Sequence, residues 1–192
     1  MESLHLSRPH AIMMVGLPGS GKSFFASQFS DTFNMPYIDT LAIEKLSRDG
    51  AAAGEMIGLV LGEIVKTKQS FIFEGNSDSR IHRTEFARWA RAKGYEPLLI
   101  WVQTDPRTSL KRTLKNASMD KVGFEQVVRG FSAPHADEKP LVISGRHTYA
   151  SQARVVLAYL GKQSRPSTPA VLTPRPITPA APQPARRNII IR

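Results

Sequence analysis

Gly16-Leu17-Pro18-Gly19-Ser20-Gly21-Lys22-Ser23 is the stretch that decides the fold. It satisfies G-x-x-x-x-G-K-[ST], the phosphate-binding P-loop. Gly16, Gly19 and Gly21 let the main chain turn tightly and approach phosphate oxygens closely. With Pro18, Ser20 and Phe24 they form a run of backbone around an anion-binding concavity, which the N-terminus of the next helix extends. Lys22 brings a point charge to the β- and γ-phosphates. The Ser23 hydroxyl is a ligand for Mg²⁺.

The flanks have the required order. Ala11-Ile12-Met13-Met14-Val15 is a short apolar run, as expected of a buried parallel strand. Ser23 to Phe33 carries Phe25, Ala26 and Phe29 at helical spacing, and no proline intervenes before Pro36.

Outward from that loop the chain alternates. Met35 to Asp39 reads as a second strand, Leu41 to Arg48 as a helical turn or two, and Ala51 to Thr67 as a helix with Met56, Leu59, Val60 and Ile64 on one face. Gly58 and Gly62 in that helix read as points of close helix–sheet packing. Ser70 to Glu74 is a third strand. Arg80 to Lys93 is a helix closed by Gly94, with Phe86, Trp89 and Ala90 inward. Pro97 to Val102 is a fourth strand, and Pro106 to Lys115 a helix with Asp105 as N-cap and Pro106 in its first position. Phe124 to Phe131 is a short helix, Leu141 to Ser144 a fifth strand, and Thr148 to Leu160 the last helix. This alternation predicts an α/β fold, a five-stranded, mostly parallel sheet with helices on both faces. In such sheets ligands bind at the C-terminal ends of the strands.

Four strand ends carry groups suited to phosphoryl transfer: the P-loop, Asp39, Glu74-Gly75-Asn76, and Gly145-Arg146-His147. One of Asp39 and Glu74 would accept the proton of an attacking hydroxyl, and the other would hold Mg²⁺; the sequence leaves the assignment open.

With these residues in view, the segment from Ala11 to Leu160 resembles the small P-loop kinases of the polynucleotide-kinase and zeta-toxin type, an AAA-type ATP-binding group to which gluconate and shikimate kinases are more distantly similar. The resemblance rests on Gly16 to Ser23, Tyr37-Ile38-Asp39-Thr40, Phe71 to Asn76 with Arg80 and Arg83, Val102 to Pro106, Lys111-Arg112, Phe131 to Glu138 and Ile143-Ser144-Gly145. It implies a three-layer P-loop NTPase fold and ATP and Mg²⁺ as cofactors. Asp39 would be the general base and Glu74 a metal ligand or base. Arg80 and Arg83 would bind the acceptor substrate, and Arg112 would be a lid arginine at the γ-phosphate. Gly145, Arg146 and His147 would pack against adenine. The chain departs from the pattern at Leu41, where many relatives carry a second acid. It departs again after Arg112, where Lys115, Asn116 and Lys121 occupy the place of a second lid arginine.

Charge and composition divide the chain into a domain, residues 1–161, and a tail, residues 162–192. The net charge is +10, and the tail supplies +6 of it with no acid. The basic balance thus gives little support to a nucleic-acid-binding face on the domain. Seven of the 14 prolines lie in this tail, with Thr-Pro recurring at Thr168, Thr173 and Thr178, so it is expected to be extended or disordered. It ends in Arg186-Arg187-Asn188-Ile189-Ile190-Ile191-Arg192, a β-prone run that reads as a peptide motif for a protein partner. Cysteine is absent, which excludes disulfides and thiolate metal sites. No apolar run is long enough to span a bilayer, so the sequence predicts a soluble, cytoplasmic protein without membrane contact. The functional expectation is a Mg-ATP-dependent kinase with an unidentified hydroxyl acceptor, a small metabolite or a nucleic-acid end. The alternatives are an ATP-binding switch that presents its tail without turnover, and a zeta-toxin-like sugar-nucleotide kinase.

Overall fold

A computed structural model describes residues 7–163. The seven N-terminal elements are β1 (His10–Val15), α1 (Lys22–Phe33), β2 (Tyr37–Asp39), α2 (Thr40–Leu46), α3 (Gly50–Thr67), β3 (Phe71–Glu74) and α4 (Arg80–Ala92). They are followed by β4 (Glu96–Gln103), α5 (Pro106–Lys115), α6 (Lys121–Gly130), β5 (Leu141–Ser144) and α7 (Tyr149–Gln163), with one 3-10 turn at Ala136–Glu138. The sheet order is β2-β3-β1-β4-β5, and every pairing is parallel.

β1 lies at the centre between β3 and β4, which is why its six residues are all buried and Ala11 to Val15 read as an unbroken apolar run. Its side chains alternate between two cores. Ile12 and Met14 face α1 and α7 through Phe25, Phe29, Val156 and Leu160. Ala11, Met13 and Val15 face α4, with Phe86, Ala90, Phe71 and Phe73 from β3 and Tyr95 just before β4. Aromatic stacking fixes both layers: Phe25 lies 5.3 Å from Phe29, and Phe73 lies 5.2 Å from Phe86, ring centre to ring centre.

Three expectations need correction. In α3 the face toward the sheet is Ala53, Ile57, Leu61 and Ile64, whereas Met56, Leu59 and Val60 are exposed. Gly58 and Gly62 make no close approach to the sheet, since a Cβ on either would meet nothing within 4 Å. The last helix continues past Leu160 to Gln163. The rest of the expected tail lies outside the described residues. No helix among the described residues is long and apolar enough to cross a membrane.

Candidate active site

The P-loop leaves β1 and enters α1 through Gly21, which caps the helix in the left-handed conformation at φ 105° with no side-chain cap. The first N–H groups of α1 therefore stay available to an anion. Gly19 is also left-handed, at φ 73°, and a Cβ there would strike the carbonyl of Ser109 and the hydroxyl of Thr113 on α5. The loop is thus held from behind by α5, and Thr104 Oγ1 adds a hydrogen bond to the Ser20 carbonyl at 2.9 Å. Lys22 Nζ donates to the Leu17 carbonyl at 3.0 Å, across the loop that it would serve. Burial lowers the Lys22 pKa, and the nearby carboxylates of Glu74 and then Asp39 oppose that shift.

Asp39 and Glu74 end adjacent strands in matched register. Glu74 is 6 % exposed. Its Oε1 accepts from the Ser23 hydroxyl at 2.9 Å and its Oε2 from the Tyr37 hydroxyl at 2.7 Å. The Tyr37 pKa is raised, first by burial and then by this hydrogen bond. Asp39 caps α2, where its Oδ1 accepts from the Ala42 N–H at 3.2 Å, so one carboxylate oxygen is held by the helix start. The Ser23 hydroxyl beside the Glu74 carboxylate is a pair of hard oxygens that suits Mg²⁺, an ion that keeps water and phosphate oxygens as its other ligands. The described residues contain no group of three or more His, Cys, Asp or Glu placed to hold a metal by themselves.

On the α5 side, a cavity of about 600 Å³ opens over the loop. Its lining includes Gly21, Lys22, Arg112, Gly145, Arg146 and His147. A Cβ on Gly145 would collide with the Ser20 carbonyl, so the strand-five loop packs directly on the P-loop only because this residue is glycine. Arg112 Nη1 donates to the Gly145 carbonyl at 2.9 Å. This arginine therefore bridges α5 to the loop after β5 at one wall of the cavity.

No protein-family model and no curated protein sequence matches the chain. Solved structures do match. A gluconokinase from Sinorhizobium meliloti aligns with a TM-score of 0.62 at 14% identity, over 81% of this chain and 94% of that one. The APS kinase CysC of Mycobacterium tuberculosis, solved with AMPPNP and APS, gives 0.63 at 17%, over 80% of this chain and 98% of that one. Chaetomium thermophilum Kti12, solved with ADP-AlF3, gives 0.63 at 15%, over 81% and 100%. The fold is that of the small P-loop kinases.

Within this kinase fold the expected residues do not all converge. Gly16 to Phe24, Asp39 and Glu74 cluster at the strand ends, while Arg112 and Gly145 to His147 meet at the cavity. Arg83 does neither. It is fully buried and makes four hydrogen bonds: Nε and Nη2 grip Glu138 at 2.7 and 3.0 Å, and Nη1 donates to the carbonyls of Ser77 and Ser132. Arg83, expected to contact the acceptor, has no exposed surface and is committed to Glu138 and two main-chain carbonyls, which suits holding the chain together. Arg80 stays half-exposed and pairs with Asp137. Sequence reasoning gave no role to Tyr37, although the period of two places it on the same strand face as Asp39. It also missed Gln152, which lines the cavity from α7.

Proposed function

We propose that the chain is a Mg-ATP-dependent phosphotransferase that moves the γ-phosphate to a hydroxyl acceptor. The observation that carries this reading is the convergence of Lys22, Ser23 and Glu74, with Ser23 Oγ 2.9 Å from Glu74 Oε1, at the open N-terminus of α1. Lys22 and the α1 N-terminus would hold the nucleotide phosphates, and Ser23 with Glu74 would hold Mg²⁺. When bound, the ion neutralises charge on the transferring phosphoryl group. Asp39, beside Glu74 and with its Oδ2 outside the helix cap, would take the proton of the acceptor hydroxyl. Arg80, exposed and paired with Asp137, would contact the acceptor, as the resemblance implies. Arg112, tied to the Gly145 carbonyl at the cavity wall, would contact the bound nucleotide. The nucleotide analogues named with the CysC and Kti12 structures support a nucleotide in this cavity.

The test is incubation with γ-labelled ATP against a panel of metabolites and oligonucleotides, with calorimetry of ATP binding. Lys22→Ala should abolish binding without lowering the melting temperature, and Asp39→Asn should slow turnover on the order of 10²–10⁴-fold while ATP affinity holds. Unchanged affinity in a folded Lys22→Ala variant overturns the nucleotide site. Tight ATP binding with no turnover on any acceptor leaves a nucleotide-dependent switch.

A further inference from the structure

A second cavity, of about 470 Å³, opens where the P-loop leaves β1. Leu17 of the loop lines it together with Trp101 and Gln103 from the end of β4. This is the place where the chain diverges: β1 leads on to β2 on one side of the sheet, and β4 leads on to β5 on the other. Ligands of open parallel sheets bind in the crevice at such a point. Arg146 lines both this cavity and the nucleotide cavity, so the two share a wall.

The lining has a definite chemistry. Trp101 and Phe131 are half-buried, and both face the cavity. In the same core Phe71, Trp89 and Tyr95 pack ring on ring. Trp101 and Phe131 make no contact with another aromatic ring among the described residues. Their π-faces suit a flat ring. Gln103 is exposed, and its side-chain amide has no hydrogen bond among the described residues, so it offers one acceptor and two donors. Asp105 and Arg146 add an acid and a cation. Apolar walls with a few polar groups of both kinds fit a ring that carries donors and acceptors on its edge. A saturated sugar has no π-face to offer the two aromatic rings.

We propose that this cavity is the acceptor site, and that the acceptor is a nucleoside or a similar hydroxyl-bearing heteroaromatic compound, its ring against Trp101 and Phe131 and its edge read by Gln103. The assignment rests on the phosphotransferase reading of the P-loop. Lys22 Nζ lies 3.0 Å from the carbonyl of Leu17, so the phosphate lysine adjoins a residue of the cavity wall. The Asp39 carboxylate is near enough to Lys22 to act on its charge. A ribose bridges the gap from the ring to these groups. The acceptor hydroxyl oxygen bonds to the γ-phosphorus as the bond from that phosphorus to the β,γ-bridging oxygen breaks. ADP leaves with the electron pair, and the hydroxyl proton passes to Asp39.

The experiment gives the full chain labelled ATP with adenosine, guanosine, cytidine, uridine, D-gluconate or D-glucose. At least one nucleoside should be phosphorylated with a kcat/KM at least about tenfold above that of gluconate and glucose. The same nucleoside, titrated beside a non-hydrolysable ATP analogue, should change the tryptophan emission saturably. Trp101→Phe should remove that change, because Trp89 is packed on Phe71 and Phe86. Gln103→Ala should raise the nucleoside KM about three- to tenfold, the loss of one hydrogen bond, and keep ATP affinity within about twofold. Transfer to gluconate or glucose and to no nucleoside overturns the proposal and leaves the kinase reading standing; it needs no variant, so a poorly folded Trp101→Phe cannot protect the idea. An emission change that survives Trp101→Phe, or an unmoved KM in Gln103→Ala, puts the ring elsewhere and overturns it as well. A chain that binds ATP and transfers to none of the six compounds loses this acceptor site and keeps the nucleotide site. A chain that binds no ATP loses both.

Discussion

Two buried carboxylates in this domain look alike in burial and differ in company. Glu74 is 6 % exposed and, among the described residues, accepts from the hydroxyls of Ser23 and Tyr37. The Glu138 side chain is 8 % exposed and is gripped by both arms of the Arg83 guanidinium, while its Oε1 also accepts from the His135 N–H at 2.8 Å. The partners of Glu74 are neutral and give way readily to a stronger cation. The partners of Glu138 already neutralise it and fix its geometry. Burial of an acid therefore does not mark a working site. A buried acid with exchangeable neutral donors, next to Lys22, does so far better than a saturated ion pair.

Substituting each acid in turn breaks that comparison most sharply. Glu74→Gln keeps the shape and removes the charge. It should lower turnover on the order of 10²-fold or more and shift unfolding free energy by no more than about 1 kcal/mol. Steady-state kinetics with a chemical melt decides it. Normal turnover in a destabilised protein would put Glu74 in the same class as Glu138.

The opposite signature belongs to the clasp. Arg83 joins α4 to the segment before β5, and the Ser132 N–H donates to the Asp78 carbonyl at 2.8 Å alongside it. Arg83→Met strands Glu138 in the interior and should cost about 3–5 kcal/mol, or roughly 10 °C in melting temperature, while ATP affinity of the folded fraction stays the same. The double variant Arg83→Met with Glu138→Leu should regain much of that loss, since no unpaired charge remains. A melt of Arg83→Met that matches wild type would return Arg83 to the list of ligand contacts.

These two regions were unequally legible in the sequence. The P-loop motif is local: eight consecutive residues carry spacing, charge and hydroxyl, and they lie between β1 and the first turn of α1. The strand ends follow from alternation, because β1 is buried on both faces and β2 places Tyr37 and Asp39 on one side. Arg80 and Arg83 look equivalent at the start of a helix. Only the partner separates them, and Glu138 lies 55 residues from Arg83 along the chain. The wrong face of α3 has a similar cause. Apolar residues and glycines occur all around that helix, so periodicity cannot choose which stripe meets the sheet. Gln152 carried no local signal, because its meaning depends on Ser144 being within reach.

Acid sharpens the same contrast with a smaller effect. The Arg83 hydrogen bond holds the Glu138 pKa below its ordinary 4.5, and the His135 N–H and Arg83 charge act in the same direction. A depressed carboxylate contributes stability that is complete above its unfolded pKa and is lost as pH falls through the folded one. Melting temperature should therefore decline on acidification below about pH 4.5 and more gently in Glu138→Gln, which has no such proton to take up. Parallel pH profiles of the two proteins would remove Glu138 from the account.

The smallest change comes from the other arginine of α4. The Arg80 and Asp137 side chains are 55% and 53% exposed, so water screens their pairing and either partner retains solvent when the other is lost. Arg80→Ala should alter unfolding free energy by less than about 1 kcal/mol, and added salt should mask even that. Its effect on turnover is where it differs from a bystander. As the exposed cation assigned to the acceptor side, Arg80 should raise the acceptor KM severalfold with little change in kcat, the pattern of a contact made equally in ground and transition states. Asp137→Ala frees Arg80 without deleting it, so that variant should keep or lower KM. If Arg80→Ala and Asp137→Ala behave identically in both melts and kinetics, Arg80 only staples the surface, and the acceptor must be held by residues nearer Asp39.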